Sequence, residues 1–355
     1  MNKEQNMSPV AFLEKTAAAQ SELHASITLE DAVRRTVASE LPQIPELAEV
    51  DRQIDMVLNR CHPRFANMVE QVRNFRGKRF RPLMVLLSAK AVGNITPKHA
   101  ALGAVMELIH TATLVHDDVL DGAMVRRHAP TVNAVHDNYN SILLGDWILS
   151  QAFSLASTLE NIKINHMLSE AACRICEGEL NQGLERGNLA LEEGAYYDNI
   201  DGKTAELIAS CCRVSAVLAN APEDQVRHLE NFGRKVGMAF QVADDLLDLW
   251  GDEDRTGKSL GTDLQQGKLT LPMIHALKQP LGPKVMAILK NPPEDSTRAR
   301  EALVPLLEES GSLEYTRQKA REFVQQARAE LAHLPPTPWR NQLASMAEKA
   351  VARTA

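Results

Sequence analysis

The sequence predicts an all-α protein, and three observations carry that expectation. The 355-residue chain is low in aromatic residues, at 4%, and rich in Ala, Leu, Glu, Gln, Lys and Arg, all good helix formers. Its apolar residues recur at helical spacing, and no strand-like alternation of apolar and polar positions survives inspection. Two of the apolar helical runs close on the same pattern, Asp117-Asp118-Val119-Leu120-Asp121 and Asp244-Asp245-Leu246-Leu247-Asp248. A chain of this length buries a sizeable core without disulfides or a structural metal.

Charge and cysteine usage narrow the setting. A formal net charge of −7 argues against a nucleic-acid binder that relies on overall attraction to phosphate. The cysteines Cys61, Cys173, Cys176, Cys211 and Cys212 are odd in number and scattered, which does not resemble a disulfide framework and points to a reducing, cytoplasmic setting. Cys173-x-x-Cys176 and Cys211-Cys212 lie in helix-like runs without the turn residues of a zinc knuckle, against a zinc site there. The N-terminus lacks a basic start followed by an apolar core, so no secretory signal is expected. No stretch reaches the roughly 20 apolar residues that a spanning helix needs.

Residues 1–45 form a polar arm with no assigned chemistry, set off by Pro42 and Pro45, and 46–355 the main domain. From 47 to 73 the apolar positions keep a helical period that Pro63 permits to break. Arg76-Gly77-Lys78-Arg79-Phe80-Arg81-Pro82 then packs cations into a turn feeding a helix at Leu83; taken alone it reads as a solvated connector. Helices follow over 83–92 and about 100–121, the second ending in the first acid motif. Further helical runs cover 141–159, 165–184, 203–220 and 223–250. Between 251 and 272 the chain turns polar and Gly-rich, with Gly257-Lys258, Gly261, Asp263, Gly267-Lys268 and Pro272 in order, the mark of a functional loop. Helices return after 273, and Thr337-Pro338 suits the start of a final one.

The acids need an explanation. At 100° per residue Asp117 and Asp121 share one face about 40° apart, with Asp118 beside them. Such crowding repels, and burying unpaired carboxylates after an apolar helix is expensive. Divalent cations relieve that cost. Carboxylate oxygens suit Mg²⁺, whose remaining positions are filled by water and phosphate, so two facing clusters could hold several Mg²⁺ ions around a diphosphate. A di-iron site would need Glu-x-x-His on neighbouring helices, which neither cluster offers. Arg126-Arg127, Lys203-Thr204, Lys258 and Lys268 then gain a purpose, because an acidic protein binds a polyanion by concentrating cations where the phosphates sit.

At this point the residues resemble the trans-type polyprenyl (isoprenyl) diphosphate synthases. The resemblance runs through Gly77-Lys78-x-x-Arg81-Pro82, His110 before Asp117-Asp118-x-x-Asp121, Arg126-Arg127, Gly145-Asp146, Glu177-Gly178-Glu179 with Gln182, and Lys203-Thr204-Ala205. It continues through Gln241 with Asp244-Asp245-x-x-Asp248 to Gly257-Lys258 and Gly267-Lys268-Leu269-Thr270-Leu271-Pro272. It implies a class I terpenoid synthase-like helical bundle around a deep central cavity, commonly a homodimer. By resemblance Lys78, Arg81, His110 and Arg127 bind isopentenyl diphosphate, while Arg126, Lys203, Thr204, Gln241, Lys258 and Lys268 hold the allylic diphosphate. The aspartates Asp117, Asp118, Asp121, Asp244, Asp245 and Asp248 are expected to bind Mg²⁺. Asp117, Asp118, Asp121, Arg126, Lys203, Asp244 and Lys258 are the expected catalytic set. Where the family usually has Gly after the arginine pair, this chain has His128.

The implied reaction is head-to-tail, trans condensation of isopentenyl diphosphate with an allylic diphosphate. Below Asp117 the stripe Thr113, Ala112, Ile109 would line the tail pocket. In the family a bulky aromatic there shortens the product, so a long chain is expected, C20 or longer and about C30–C50, each helical turn adding about 5.4 Å of depth. The alternatives are a short-chain (farnesyl or geranylgeranyl) synthase, another class I terpenoid enzyme, and a non-catalytic regulatory subunit. The lipid product allows peripheral membrane contact.

Overall fold

The computed structural model describes residues 44–73, 77, 79–251, 260–293 and 295–351. The chain divides into Met1–Pro45 and Glu46–Ala355, and all the helices and strands named here lie in the second unit. Helix α1 (Glu46–Leu58) carries Glu46 and Glu49 in its first turn and buries Val50, Ile54, Val57 and Leu58 at helical spacing. A 3₁₀ turn at Pro63–Phe65, where the sequence allows a break, leads into α2 (Ala66–Arg73). Helix α3 (Phe80–Val92) begins three residues earlier than expected, so Arg81 and Pro82 occupy its first turn. Pro is tolerated there because the first amides have no partner within the helix.

Helix α4 (Pro97–Leu120) starts with Pro97 after Thr96, whose amide donates to Nδ1 of His99 at 3.0 Å. That bond makes Nδ1 the acceptor, so the proton sits on Nε2, which faces the Ser215 carbonyl at 3.3 Å. Burial pulls the pKa of His99 below its ordinary value, and the ring is a neutral core group.

Among the described residues, the chain beyond α4 departs from the all-helical expectation in one place. Val125–Arg126 (β1) and Ala129–Pro130 (β2) pair as a two-stranded antiparallel ribbon, with Arg126 opposite Ala129. Its two loop residues, Arg127 and His128, have φ of 51° and 62°, as a type I′ hairpin turn requires. Strands this short have no room for the alternation that signals a strand in sequence.

Next come α5 (Val132–His136), α6 (Asn138–Ser157) and α7 (Ile162–Leu184). Asp137 caps α6 by accepting from Asn140 N at 2.8 Å, and Asn161 caps α7 by accepting from Ile164 N at 3.1 Å. Gly145-Asp146 lies inside α6, within the helical run read from the sequence. Gly145 is there because the His116 ring of α4 packs against it; a Cβ would sit 2.2 Å from Nε2 of His116.

Helix α8 (Glu193–Ile200) runs through a π-helical turn, Asp201–Ala205, into α9 (Glu206–Leu218). The long α10 (Glu223–Trp250) carries the second acid motif. After it come α11 (Thr262–Gln265), α12 (Leu271–Leu277), α13 (Gly282–Lys290), α14 (Ser296–Glu309), α15 (Ser312–Leu331) and α16 (Pro338–Val351). Thr337 starts the last helix as its sequence suggests, its hydroxyl accepting from Arg340 N at 3.1 Å.

The packing follows from which helices are apolar all round. Helix α3 buries every residue from Pro82 to Ala89 and lies against α4 and α9. Helix α6 packs along α4, and α10 packs against both α9 and α15. Each fully buried Leu or Met in this core, such as Leu86, Leu102 and Met106, contributes about 1.5–3 kcal/mol. Among the described residues, no helix is long and apolar enough to cross a membrane.

Candidate active site

The first acid motif closes α4, and its three carboxylates are treated differently. Asp118 is buried, at 1% exposure. Its Oδ1 accepts from Arg126 Nε at 2.8 Å, with Arg126 Nη2 at 2.7 Å, while its buried Oδ2 has no hydrogen-bond partner. Asp117 is pushed up to about 6, by burial above all, with Glu179 and Asp121 adding repulsion and Lys203 opposing it. Asp121 faces cations: Lys268 Nζ donates to its Oδ1 at 3.0 Å and Arg186 Nη2 at 3.2 Å. The segment after α11 is tied to the same corner, since Gln266 Nε2 donates to the Asp121 carbonyl at 3.2 Å and Gly187 N to the Gly267 carbonyl at 2.8 Å.

The second acid motif lies on α10, and neutral groups donate to two of its acids. Asp245 is buried; Tyr196 OH donates to its Oδ2 at 2.6 Å and Gln241 Nε2 to its Oδ1 at 2.8 Å. Burial, with Asp244 and Asp248 close by, raises its pKa against those two bonds. Asp248 is buried too and anchors the start of α11: Thr262 Oγ1 donates to its Oδ1 at 3.0 Å, and Asp263 N to its Oδ2 at 3.3 Å. Asp244 is the least buried of the three.

Lys203 and Thr204 join the two motifs. Thr204 Oγ1 donates to Gln241 Oε1 at 2.8 Å, extending the chain that ends on Asp245. Lys203 Nζ lies 2.5 Å from Glu179 Oε2 and donates to Gln182 Oε1 at 3.1 Å. Burial lowers the Lys203 pKa, but Asp117 and Glu179 more than offset it and the net shift is upward. Glu179 and Gln182, which sequence reasoning left without a role, thus hold a site lysine, whereas Glu177 faces solvent.

Arg81, Arg126 and Arg127 come together around His110. His110 is pulled well below its ordinary range by burial and then by the charges of Arg81, Arg127 and Arg126, so it is neutral. Arg81 has a buried Nε with no hydrogen-bond partner, and burial lowers its pKa despite Glu107. Gly77 lets Arg127 in, because a Cβ there would be 2.7 Å from Arg127 Nη1. Arg79 is not part of this group: with φ of 53° it turns to Asp51 at 2.7 Å and Glu107 at 3.0 Å, an internal brace. His128 keeps a left-handed conformation that Gly would adopt without strain. Lys78 and Lys258 lie outside the described residues.

Beneath Asp117, Ala112 and Ile109 are buried and Thr113 is half-buried. The Thr113 hydroxyl donates to the His110 carbonyl at 2.8 Å, which satisfies its polar atom within the helix. The next layers, Met106 and Val105, are fully buried.

The donor set fits a divalent cation. It consists of carboxylate oxygens, one of them buried and unpartnered at Asp118, on a helix end where burial disfavours Asp117 and Asp118 as anions. Among the described residues, no three His, Cys, Asp or Glu side chains gather into a closed cage.

Fold and site together define the class: a helical prenyltransferase. The chain belongs to the polyprenyl synthetase family, whose model matches residues 62–306. It is similar to the octaprenyl diphosphate synthase of Escherichia coli K12, 40% identical over 280 residues, covering 78% of this chain and 86% of that protein. The all-trans-nonaprenyl-diphosphate synthase (geranyl-diphosphate specific) of Rhodobacter capsulatus is 35% identical over 313 residues, covering 88% and 96%. Among solved structures, a polyprenyl synthase from Caulobacter crescentus CB15, complexed with calcium and isoprenyl diphosphate, superposes with a TM-score of 0.81 at 33% identity. That match covers 88% of this chain and 95% of the other.

Proposed function

We propose that this chain elongates an allylic diphosphate with isopentenyl diphosphate, head to tail and trans, to a polyprenyl diphosphate in the C40–C50 range. One observation carries the reading: Lys203 near Asp117 and Lys268 on Asp121 bring cations from distant segments to the first acid motif. Relatives named octaprenyl and nonaprenyl diphosphate synthase support the product range. So does the stripe Ala112, Thr113, Ile109, which offers no bulky aromatic to stop the tail.

In this reading Arg126, Lys203, Thr204, Gln241 and Lys268, with Lys258, hold the allylic diphosphate, and Arg81, His110 and Arg127, with Lys78, hold isopentenyl diphosphate. Asp117, Asp118, Asp121, Asp244, Asp245 and Asp248 supply the carboxylates for Mg²⁺. Bound Mg²⁺ supplies charge for the departing diphosphate, which gains negative charge as the allylic C–O bond breaks. Arg126 and Lys203 add cationic donors that strengthen in the transition state more than in the ground state. The π electrons of isopentenyl diphosphate then attack the allylic carbon, and the released diphosphate takes the proton lost in forming the new double bond. The neutral His110 donates without adding charge. The apolar stripe below keeps water from the cation.

A cytoplasmic homodimer is part of the proposal. Tyr139, Ile142 and Leu143 stand exposed together at the start of α6, an apolar face of the kind a second copy covers. The discriminating assay measures diphosphate release with Mg²⁺ and an allylic diphosphate, with and without isopentenyl diphosphate. Release that depends on isopentenyl diphosphate is expected; release without it marks a cyclase, and none at all marks a non-catalytic subunit.

A further inference from the structure

The turn carrying Lys203 and Thr204 is π-helical, over Asp201–Ala205. Single π-turns gather at functional sites, where they re-aim side chains at the cost of poorer hydrogen bonding. Two neighbouring helices fix this one. On α7, Gly178 lets the turn approach so closely that a Cβ would lie 2.4 Å from Lys203 N; on α10, a Cβ on Gly237 would lie 2.4 Å from the Cα of Ala205. About one turn before each glycine stands an arginine, Arg174 on α7 and Arg234 on α10.

Both arginines reach the same two acids, which bracket the turn. Arg234 Nη1 donates to Oδ1 and Oδ2 of Asp201 at 2.8 Å each, and its Nη2 donates to Glu206 Oε2 at 2.8 Å. Arg174 Nη2 lies 3.4 Å from Asp201 Oδ2 and its Nε 3.4 Å from Glu206 Oε2. The Glu206 side chain is 1% exposed, and its Oε1 also accepts from Ser210 Oγ at 3.2 Å and lies 3.9 Å from Arg213 Nη2. Arg234 also sits two helical turns before Gln241, the residue that takes the Thr204 hydroxyl and passes a hydrogen bond to Asp245.

We infer that Arg234, seconded by Arg174, is a positioning residue for the allylic-diphosphate subsite: its grip on Asp201 and Glu206 holds the π-turn in the register that aims Lys203 and Thr204. The inference rests on the proposed role of those two residues in holding the allylic diphosphate. The physical need is steep, because a one-residue slip in the turn rotates the side chains beyond it by about 100°, taking Thr204 off Gln241 and Lys203 off Glu179. A lysine cannot substitute, since a point charge cannot bridge two carboxylates as the guanidinium fork does.

Steady-state kinetics of Arg234→Lys tests it, with circular dichroism to confirm folding. The KM for the allylic diphosphate is expected to rise about tenfold while that for isopentenyl diphosphate stays within about twofold. In a Lys203→Ala background Arg234→Lys is expected to add clearly less than its roughly tenfold effect in the parent, because part of its action runs through the lost residue. Equal rises in both KM values, no rise in either, or full additivity in the double variant overturns the inference. If Lys203→Ala itself leaves the allylic KM unchanged, the subsite reading fails and the inference falls with it; if Lys203→Ala raises it and Arg234→Lys does not, the clamp alone is wrong. Should Arg234→Lys not fold, Arg174→Gln, at a half-exposed position, is expected to raise the same KM about threefold, and an unchanged KM overturns the clamp.

Discussion

The two Asp-Asp-x-x-Asp motifs have the same spacing and the same apolar approach, yet their carboxylates do different work. In the first, Asp118 keeps a buried oxygen without a partner and Asp121 faces the cations Lys268 and Arg186. In the second, Asp245 is engaged on both oxygens by Tyr196 and Gln241, and Asp248 on both by the chain at Thr262 and Asp263. The first motif keeps one buried oxygen without a hydrogen bond, while Asp245 and Asp248 of the second are bonded into the fold on both oxygens. Like spacing in sequence thus places acids alike on a helix and says little about what their oxygens meet.

The largest expected effect separates the two. Asp118→Asn removes half the charge pair with Arg126 and a candidate metal oxygen, and kcat/KM at saturating Mg²⁺ is expected to fall about 10³-fold, with little change in urea midpoint. Removing the metal with a chelator is expected to abolish turnover, and adding Mg²⁺ back to restore it. In the second motif the loss moves to stability: Tyr196→Phe leaves a buried carboxylate oxygen without its donor and is expected to cost about 1–3 kcal/mol in urea unfolding. A Tyr196→Phe protein as stable as the parent breaks the contrast.

How much of the fold and site is legible in the sequence varies with the reach of the signal. Helix-long patterns are: the acid-bearing α4 and α10, the cap at Thr337, and the cations drawn to one site. The family resemblance adds the expectation that Lys203 serves the allylic side. Contacts between elements distant in sequence are not legible. Gly145 sits inside a readable helical run, but nothing local reveals the His116 ring against it. Arg79 reads as one more cation of a basic turn, yet its left-handed backbone sends it to Asp51 and Glu107. The π-turn depends on glycines of two other helices, and Tyr196 acquires its role only through a partner 49 positions away.

Two smaller effects sharpen the comparison from the first motif's side. Helix α4 continues below its acids as the proposed tail stripe, so Ala112→Phe is expected to shorten the product, read by chain-length analysis, at about 1–3 kcal/mol of stability from overpacking. His128 holds the hairpin beside the first motif in a left-handed backbone, and His128→Gly is expected to raise stability by about 1 kcal/mol, read from the thermal midpoint. An unchanged or lowered midpoint contradicts the strain.

The most direct test of the assignment is product analysis. Purified protein with Mg²⁺, labelled isopentenyl diphosphate and allylic primers of different length is predicted to give successive additions ending in the C40–C50 range. Arrest after a single addition to farnesyl diphosphate, or label found in no chain longer than its primer, would contradict it.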